Sequence, residues 1–282
     1  MSHEERISPN SLPSLVAEHE SRYRFARPAV TAAGTWCDLS CGTAAGSSLA
    51  LLDVLPAHVV LTDIDEFALA EATENLGGGT RITARQLDLT STSELGSLGE
   101  LLESLPSPLV VTCFEVIEHL PTFGPLISFL RDVGRAGATV VLSAPNDVFS
   151  GVQNPFHVTA WGASTVSELV QLLPEDRIIA TQISLEGTAI IAEYEGTIPA
   201  SAPRPIVELP PPLAYLVAFG PLIAHLGPVA VTAVSDSLTR RVWEAHRESD
   251  ANYFRWAAAE VDVLRARIVE LETELTRART GG

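Results

Sequence analysis

Apolar runs alternate with helically spaced apolar positions between residues 35 and 194. Continuous apolar runs predict strands that are buried on both faces of a sheet. They cover 36–39, 59–63, 109–114 and 138–144, with a looser alternation at 81–87. Helical spacing falls between or after them, at about 45–54, 67–76, 122–133 and 163–173. This alternation predicts an α/β fold with a Rossmann-like, mostly parallel sheet covered by helices on both sides.

The end of this region breaks the alternation. Residues 178–185 and 188–194 are both β-rich, and only Glu186 and Gly187 separate them. A link this short cannot carry a parallel crossover, so the two runs predict a hairpin. The prediction is therefore a seven-stranded, mostly parallel sheet with a C-terminal antiparallel hairpin.

An uncharged segment follows this first predicted domain, 1–198. Prolines concentrated in 199–212 predict a stiff linker. Residues 213–234 carry no charge, but prolines, glycines and His225 interrupt them, which favours a bent apolar helical segment. We expect 199–245 to pack on the domain or on a partner subunit, and peripheral membrane contact is the alternative.

The C-terminal region, 246–282, has a heptad pattern and predicts a helical extension. Phe254, Val261, Ile268 and Leu275 recur every seven residues, and Leu264 and Leu271 occupy intervening positions. Branched residues at one core position and leucine at the other favour a parallel two-stranded coiled coil. We expect a homodimer through this helix. An amphipathic helix folded back on its own domain remains the alternative.

Charge excludes several functions. The chain has 282 residues, with 35 acidic against 18 basic side chains and a formal net charge of −17. Such a surface repels phosphate backbones, so we expect no nucleic-acid partner. There is no lysine, which excludes Schiff-base and Walker-lysine chemistry.

Cysteine content and the N-terminal residues bear on location. Cys37, Cys41 and Cys113 have no zinc-site spacing and read as small core residues in a reducing compartment. The first 34 residues contain no apolar run of signal-peptide length, so we expect a cytoplasmic protein, with membrane association as an open addition.

The segment 38–47, DLSCGTAAGS, carries the sharpest local signal. Small residues at 40, 42, 44 and 46 let the backbone turn tightly and approach a ligand closely. The dinucleotide fingerprint of three spaced glycines is absent, and Asp38 ends the first strand where that fingerprint would begin. A carboxylate there repels a pyrophosphate and attracts a cation. The segment therefore favours a positively charged nucleoside without phosphates.

Acids also follow the next two strands. Asp63 and Asp65 end the second strand, where a carboxylate can accept both hydroxyls of a ribose. Asp88 follows the third strand, where an acid can accept an adenine amino group. Because ligands bind at the carboxyl edge of open sheets, we expect these acids to share one cleft with Asp38.

Together these segments resemble class I S-adenosylmethionine-dependent methyltransferases over roughly residues 18–195. The segments 38–47, 61–65, 87–89 and 114–120 (FEVIEHL) resemble the family's glycine-rich loop, ribose strand, adenine segment and cofactor-covering loop. The resemblance implies S-adenosyl-L-methionine as cofactor; no metal ligand is assigned, and whether a metal assists stays open. The cofactor-binding residues it implies, with the acids above, are Tyr23, Asp38, Ser40, Cys41, Gly42, Gly46, Asp63, Asp65, Asp88, Leu89, Glu115 and Val116.

Two histidines are candidate catalytic residues. A hydroxyl acceptor needs a base within hydrogen-bond reach, and His157, which follows the fifth strand, suits that task. Its alternative role is a hydrogen bond within the loop. His119 is the second candidate, with a structural role as its alternative.

Two stretches narrow the resemblance further. Residues 18–26, and 143–146 followed by 154–157 and Trp161, are similar to bacterial methyltransferases associated with cell-surface glycan synthesis. In that group the N-terminal helix covers the cofactor, which would bring Tyr23 close to it. The implied acceptor is a sugar hydroxyl on a glycan, glycolipid or glycosylated small molecule. Two other functions stay open: methylation of nitrogen or carbon, and a non-catalytic scaffold that acts through its coiled tail.

Overall fold

The strands of the computed structural model follow the buried apolar runs. The model describes residues 13–150, 156–185, 187–193 and 212–231. Among these residues there are nine strands. They are β1 (Thr35–Leu39), β2 (His58–Asp63), β3 (Ile82–Gln86), β4 (Leu109–Cys113), β5 (Thr139–Pro145), β6 (Arg177–Leu185), β7 (Gly187–Glu193), β8 (Ala214–Phe219) and β9 (Val229–Val231).

Seven α-helices and two short 3₁₀ turns connect the described strands. The helices are α1 (Pro13–Thr31), α2 (Ala45–Leu51), α3 (Glu66–Asn75), α4 (Thr92–Glu103), α5 (Gly124–Arg135), α6 (Asp147–Ser150) and α7 (Ala163–Val170). The 3₁₀ turns cover Ile117–His119 and Ile223–His225. No described helix is both long enough and apolar enough to cross a bilayer.

One sheet contains all the described strands, in the order β3-β2-β1-β4-β5-β8-β6-β7-β9. The first five in this order pair in parallel, and the remaining pairs are antiparallel, so β7 and β8 run against the others. The predicted α/β class, Rossmann-like sheet and β6–β7 hairpin are confirmed. The described sheet contains nine strands, which include the short strand β9.

The core has two layers because successive strand residues face opposite sides of the sheet. Trp36 packs with α1, α2 and α3 on one side, whereas Cys37 packs with α4, α5 and α7 on the other. The three cysteines are buried and free, as the sequence predicts. Burial raises the pKa of each thiol, so all three are inert core residues.

The apolar segment after the proline-rich stretch is the main correction. Residues 214–219 form strand β8, not a helix, and β8 lies between β5 and β6. Strand β8 pairs with a neighbour on each side and is packed on both faces, so its residues are largely buried from water. The same burial explains why β4 and β5 carry no charge. The predicted domain boundary at 198 is therefore wrong, because the sheet continues beyond it. Membrane contact through 214–219 is excluded as well.

The position of β8 also corrects the prediction of which strand runs antiparallel to the parallel strands. The hairpin predicts a single reversed strand at the end, but the reversed strand next to β5 is β8. Strand β7 lies beyond β6 and pairs with β9. The proline-rich stretch 199–211 and the predicted coiled coil in 246–282 lie outside the described residues.

Gly220 directly follows β8, and a substitution there tests whether β8 lies beside β5. A Cβ at this position would stand 2.2 Å from the carbonyl oxygen of Ala138, and φ is +109°. We expect Gly220→Ala to lower the free energy of unfolding by more than about 2 kcal/mol, because both backbone strain and a clash with β5 oppose it. Urea unfolding measures the change.

Gly227→Ala is the matched control. A Cβ there meets nothing within 4 Å, and its φ is outside the left-handed range. The control should change the free energy of unfolding by about 0.5 kcal/mol or less. Equal effects of the two substitutions would contradict the placement of β8 beside β5.

Candidate functional site

The loop after β1 has an unusual backbone. Ser40, Gly42 and Ala44 all have left-handed conformations, with φ of 56°, 55° and 57°. For serine and alanine this conformation costs on the order of 1 kcal/mol each, so the surrounding structure must hold it. The N–H of Cys41 donates to the carbonyl of Thr62 at 2.9 Å, and the N–H of Gly42 donates to the Asp63 carboxylate at 2.9 Å. The end of β2 therefore fixes the shape of the loop.

Gly42 and Gly46 have different roles. A Cβ at Gly42 would meet nothing within 4 Å, so the backbone there borders open space that a ligand can enter. A Cβ at Gly46 would lie 2.9 Å from the Cβ of His19. Gly46 thus lets α2 approach α1, and its role in cofactor binding stays a prediction.

Each acid after β2 and β3 holds nearby backbone. Buried Asp63 accepts from the N–H of Gly42 through one oxygen and from the N–H of Asp65 through the other. Asp65 caps α3 by accepting from the N–H of Phe67 at 2.8 Å. Asp88 accepts from the N–H and the hydroxyl of Thr90. All three lie at strand ends as predicted, and these hydrogen bonds show them closing turns.

Asp38 is fully buried within β1. Its carboxyl group accepts from the hydroxyl of Tyr23 at 2.9 Å and from the hydroxyl of Thr112 at 2.5 Å. Burial raises its pKa to about 7, the two hydrogen bonds oppose that rise, and Asp63 adds to it. The predicted acid at the end of the first strand is thus a buried group that joins α1, β1 and β4. The structure brings Asp38 and Asp63 close to one another.

Several predicted cofactor-binding residues are core residues. Tyr23 packs edge-on against Trp36, at a centroid distance of 6.3 Å, and against Phe114, at 5.0 Å. Burial and the neighbouring Asp38 raise the pKa of its hydroxyl. Cys41 is buried in the layer of α1 and α2, while Leu89 and Val116 are buried in the opposite layer. These side chains belong to the core that packs against the sheet.

The loop after β4 also has a left-handed residue, Glu115, with φ of 52°. Its N–H donates to the hydroxyl of Ser143 at 3.0 Å, and that hydroxyl donates back to its carboxylate at 2.6 Å. Nη2 of Arg22 lies 3.3 Å from the other carboxylate oxygen. The Nε of Arg22 donates to Gln182 at 2.8 Å. Helix α1 is thereby tied to the ends of β4, β5 and β6.

Arg22 carries an unsatisfied donor. The residue is 3% exposed, and its Nη1 has no hydrogen-bond partner among the described residues. An unpaired buried guanidinium nitrogen is costly unless an acceptor reaches it. This atom is therefore a candidate contact for an anionic group of a ligand.

The two predicted catalytic histidines lie together. The rings of His119 and His157 are 5.0 Å apart between centroids and nearly perpendicular. Nδ1 of His157 lies 2.6 Å from the Asp147 carboxylate, and Nδ1 of His119 lies 3.0 Å from the carbonyl of Phe156. The site also contains Glu118, whose buried side chain has a pKa raised by desolvation and then by Glu115.

The sequence analysis did not assign roles to Asp147, Glu118 or Arg22. Asp147 follows β5 directly, so the rule applied to acids after the other strands would have found it. Glu118 and Arg22 lie in segments that the resemblance quotes. Their function depends on burial, which those segments do not reveal.

The raised pKa of Asp38 predicts a specific pH dependence. Because its pKa rises from 3.8 to about 7 on folding, its protonated form is favoured in the folded state. Its contribution to stability is present below pH 4 and is lost as pH rises through about 7. We expect the wild type to lose stability relative to Asp38→Asn over this window, by on the order of a few kcal/mol. Urea unfolding at several pH values measures the difference.

Asp53→Asn is the control for this titration. The pKa of Asp53 is lowered to about 2 by Arg27, so its contribution stays constant above pH 4. The wild type and Asp53→Asn should therefore differ by the same amount throughout the window. If the difference between wild type and Asp38→Asn is equally flat, the buried carboxyl is not as described.

Comparison with known proteins gives similarities of structure only. No family model and no curated protein matches the sequence. The methyltransferase domain of bacterial CtHen1 matches with 17% identity and a TM-score of 0.49, over 72% of this chain and 99% of that one. The N-methyltransferase NodS from Bradyrhizobium japonicum, in complex with S-adenosyl-L-homocysteine (SAH), matches with 13% identity and a TM-score of 0.41, over 71% and 85%. The N-terminal domain of EvdMO1, in the presence of SAH and D-fucose, matches with 14% identity and a TM-score of 0.46, over 76% and 85%.

Proposed function

We propose that this protein is an S-adenosylmethionine-dependent methyltransferase that methylates a hydroxyl oxygen. The observation that carries the proposal is that two features lie at the same edge of the sheet. One is the left-handed loop, whose Gly42 borders open space beside Asp38 and Asp63. The other is the His119–His157 pair after β4 and β5. The first suits a cationic nucleoside, and the second suits an acceptor that must lose a proton.

The residues present fit the cofactor. Asp63, which accepts from the N–H groups of Gly42 and Asp65, places a carboxylate beside the loop, and this favours a sulfonium and an ammonium group. The unpartnered Nη1 of Arg22 can receive the cofactor's carboxylate. Ile64 and Phe67 flank Asp65 and are 51% and 81% exposed, so they offer apolar surface to a purine.

The chain's contribution to methyl transfer is alignment and proton removal. The bound cofactor supplies an electrophilic methyl group for in-line displacement. Positioning of the acceptor oxygen then provides most of the rate. Asp147 holds His157 through Nδ1, which leaves Nε2 as the basic atom toward an acceptor. This orientation favours oxygen over nitrogen or carbon as the atom methylated, because a hydroxyl needs a base in reach.

The surface beside His157 points to an acceptor with an apolar part. Val148 and Val158 are 77% and 63% exposed, and Asp147 and His157 adjoin them in the chain. A sugar hydroxyl on a glycolipid or a glycosylated small molecule combines the required oxygen with such a part. The net charge of −17 opposes polyanionic acceptors, nucleic acids among them.

The remaining expectations extend this proposal. A reducing, cytoplasmic location suits the three free, buried cysteines. A homodimer through residues 246–282 would bring two such sites together, on the strength of the heptad pattern.

Gly42 provides the sharpest test of cofactor binding. Gly42→Ala places a methyl group in the open space and strains a backbone with φ of +55°. We expect SAH affinity, measured by calorimetry, to fall by about tenfold or more. Gly78→Ala is the control, since Gly78 has φ of +61°, an equally open Cβ position and a place just before β3, at the opposite edge of the sheet. It should lose similar stability and keep SAH affinity; equal losses of affinity would contradict the loop's role.

Acceptor chemistry is tested with methyl-labelled cofactor and a panel of octyl glycosides paired with their free sugars. We expect faster labelling of the octyl glycosides, because Val148 and Val158 contact the apolar chain. His157→Gln should lower transfer by about 100-fold or more without changing SAH affinity. Unchanged transfer by this variant would dismiss His157 from the reaction, and equal labelling of each pair would dismiss the apolar contact.

A further inference from the structure

Three potential metal ligands meet in the segments that follow β4 and α6. Glu118, His119 and His157 each present a ligand atom, and these atoms lie within 4.8 Å of one another. Glu118 and His119 belong to the 3₁₀ turn after β4, and His157 comes from the segment between α6 and α7. Two parts of the chain that are distant in sequence thus bring together two imidazoles and one carboxylate.

Both imidazoles are oriented as metal ligands are. His119 is held through Nδ1 by the carbonyl of Phe156 at 3.0 Å, and His157 is held through Nδ1 by Asp147 at 2.6 Å. An acceptor at Nδ1 keeps the proton there, so the lone pair is on Nε2, which in His119 lies 3.7 Å from Oε1 of Glu118. Metal-ligating histidines commonly donate their second nitrogen to a carboxylate or a backbone carbonyl in this way. Neither imidazole needs to reorient to bind a cation.

Glu118 supplies the second, independent observation. It is 1% exposed, and its Oε2 has no hydrogen-bond partner among the described residues. Its backbone carbonyl accepts from the N–H groups of Val158 and Thr159, which fixes it against the segment that carries His157. A buried carboxylate with an unpartnered oxygen is costly unless a cation neutralises it. Arg22 contacts Glu115 through Nη2 and Gln182 through Nε, and no hydrogen bond joins it to Oε2 of Glu118 among the described residues.

We infer that Glu118, His119 and His157 bind a divalent transition-metal cation. A donor set of two nitrogens and one oxygen suits Zn²⁺, Fe²⁺ or Co²⁺ better than Mg²⁺ or Ca²⁺, which prefer oxygen ligands. Three protein ligands leave coordination positions open, as in catalytic sites. Asp147 is a positioning residue for this site, since it acts through His157.

The part of this cation in catalysis rests on the proposed function. An acceptor hydroxyl at an open position would have its pKa lowered, so that its proton passes to solvent. The oxygen–carbon bond then forms as the sulfur–carbon bond breaks, and the sulfonium leaves as a neutral thioether. In this arrangement His157 acts as a ligand of the cation, and solvent rather than a free histidine takes the proton.

Cobalt binding tests the site without any acceptor. Untagged protein is freed of metal with a chelator and titrated with Co²⁺, and the visible absorption of the ion is recorded. We expect saturation at one equivalent, displacement by Zn²⁺ and no displacement by equimolar Mg²⁺. The spectrum should lack an intense thiolate band, because the three cysteines are buried and protonated.

Variants assign the binding to these residues. Glu118→Gln, His119→Gln and His157→Gln should each abolish saturable binding, and Asp147→Asn should weaken it by about 10- to 100-fold. His225→Gln, in the other 3₁₀ turn, is the matched histidine control and should bind as the wild type does. Retained SAH affinity shows that a variant is folded, and circular dichroism serves where the wild type itself binds no SAH.

The outcomes separate the two proposals. No saturable Co²⁺ absorption in the wild type, or binding that persists in all three ligand variants, would overturn the metal site. Absence of SAH binding to a wild type that still binds Co²⁺ would overturn the methyltransferase proposal and leave the metal site standing.

Discussion

The hydrogen bond from Gly42 to the buried Asp63 carboxylate is the constraint on which the candidate site depends. It joins the loop after β1 to the end of β2, and this loop has three alternate left-handed positions, two of which are not glycine. A loop with this backbone would relax without such a partner, because serine and alanine disfavour the conformation. The open space beside Gly42 is therefore a consequence of the carboxylate at the end of the neighbouring strand.

Buried polar groups tie the rest of the edge together in the same way. Asp38 joins α1 to β1 and β4 through Tyr23 and Thr112, and Arg22 joins α1 to Glu115. Such groups are costly to bury and strongly favour one arrangement once they are satisfied. Two atoms of this network, Nη1 of Arg22 and Oε2 of Glu118, have no partner among the described residues. In the proposals above, Nη1 of Arg22 contacts the carboxylate of the cofactor, and Oε2 of Glu118 is neutralised by the cation.

Strands buried on both faces could be predicted from sequence because most of their residues are apolar in an uninterrupted run. That rule located β4 and β5, and it applies equally to 214–219, where length and interruptions favoured a helix instead. Only pairing with β5 and β6 distinguishes the two interpretations, and pairing is a long-range property. Helix α4 had a local signal that was passed over, since Ser91 and Glu94 have capping-box spacing at its start.

The acids at strand ends could be located from sequence, but their partners could not. A carboxylate after a strand can serve a ligand or the nearest backbone N–H, and both choices have the same sequence pattern. The structure shows backbone contacts for Asp65 and Asp88 and burial for Asp38. The convergence of His119 and His157 depends on how the segment after α6 returns to the turn after β4, which no local pattern encodes.

Equilibrium binding of SAH in competition with NAD⁺ tests the central claim most directly. The left-handed loop, the neighbouring carboxyl groups and the lack of any lysine predict that this edge takes an adenosyl amino acid and rejects a pyrophosphate. Calorimetry on the wild type should show saturable SAH binding that excess NAD⁺ does not displace. Tight NAD⁺ binding that SAH fails to compete with would contradict the account.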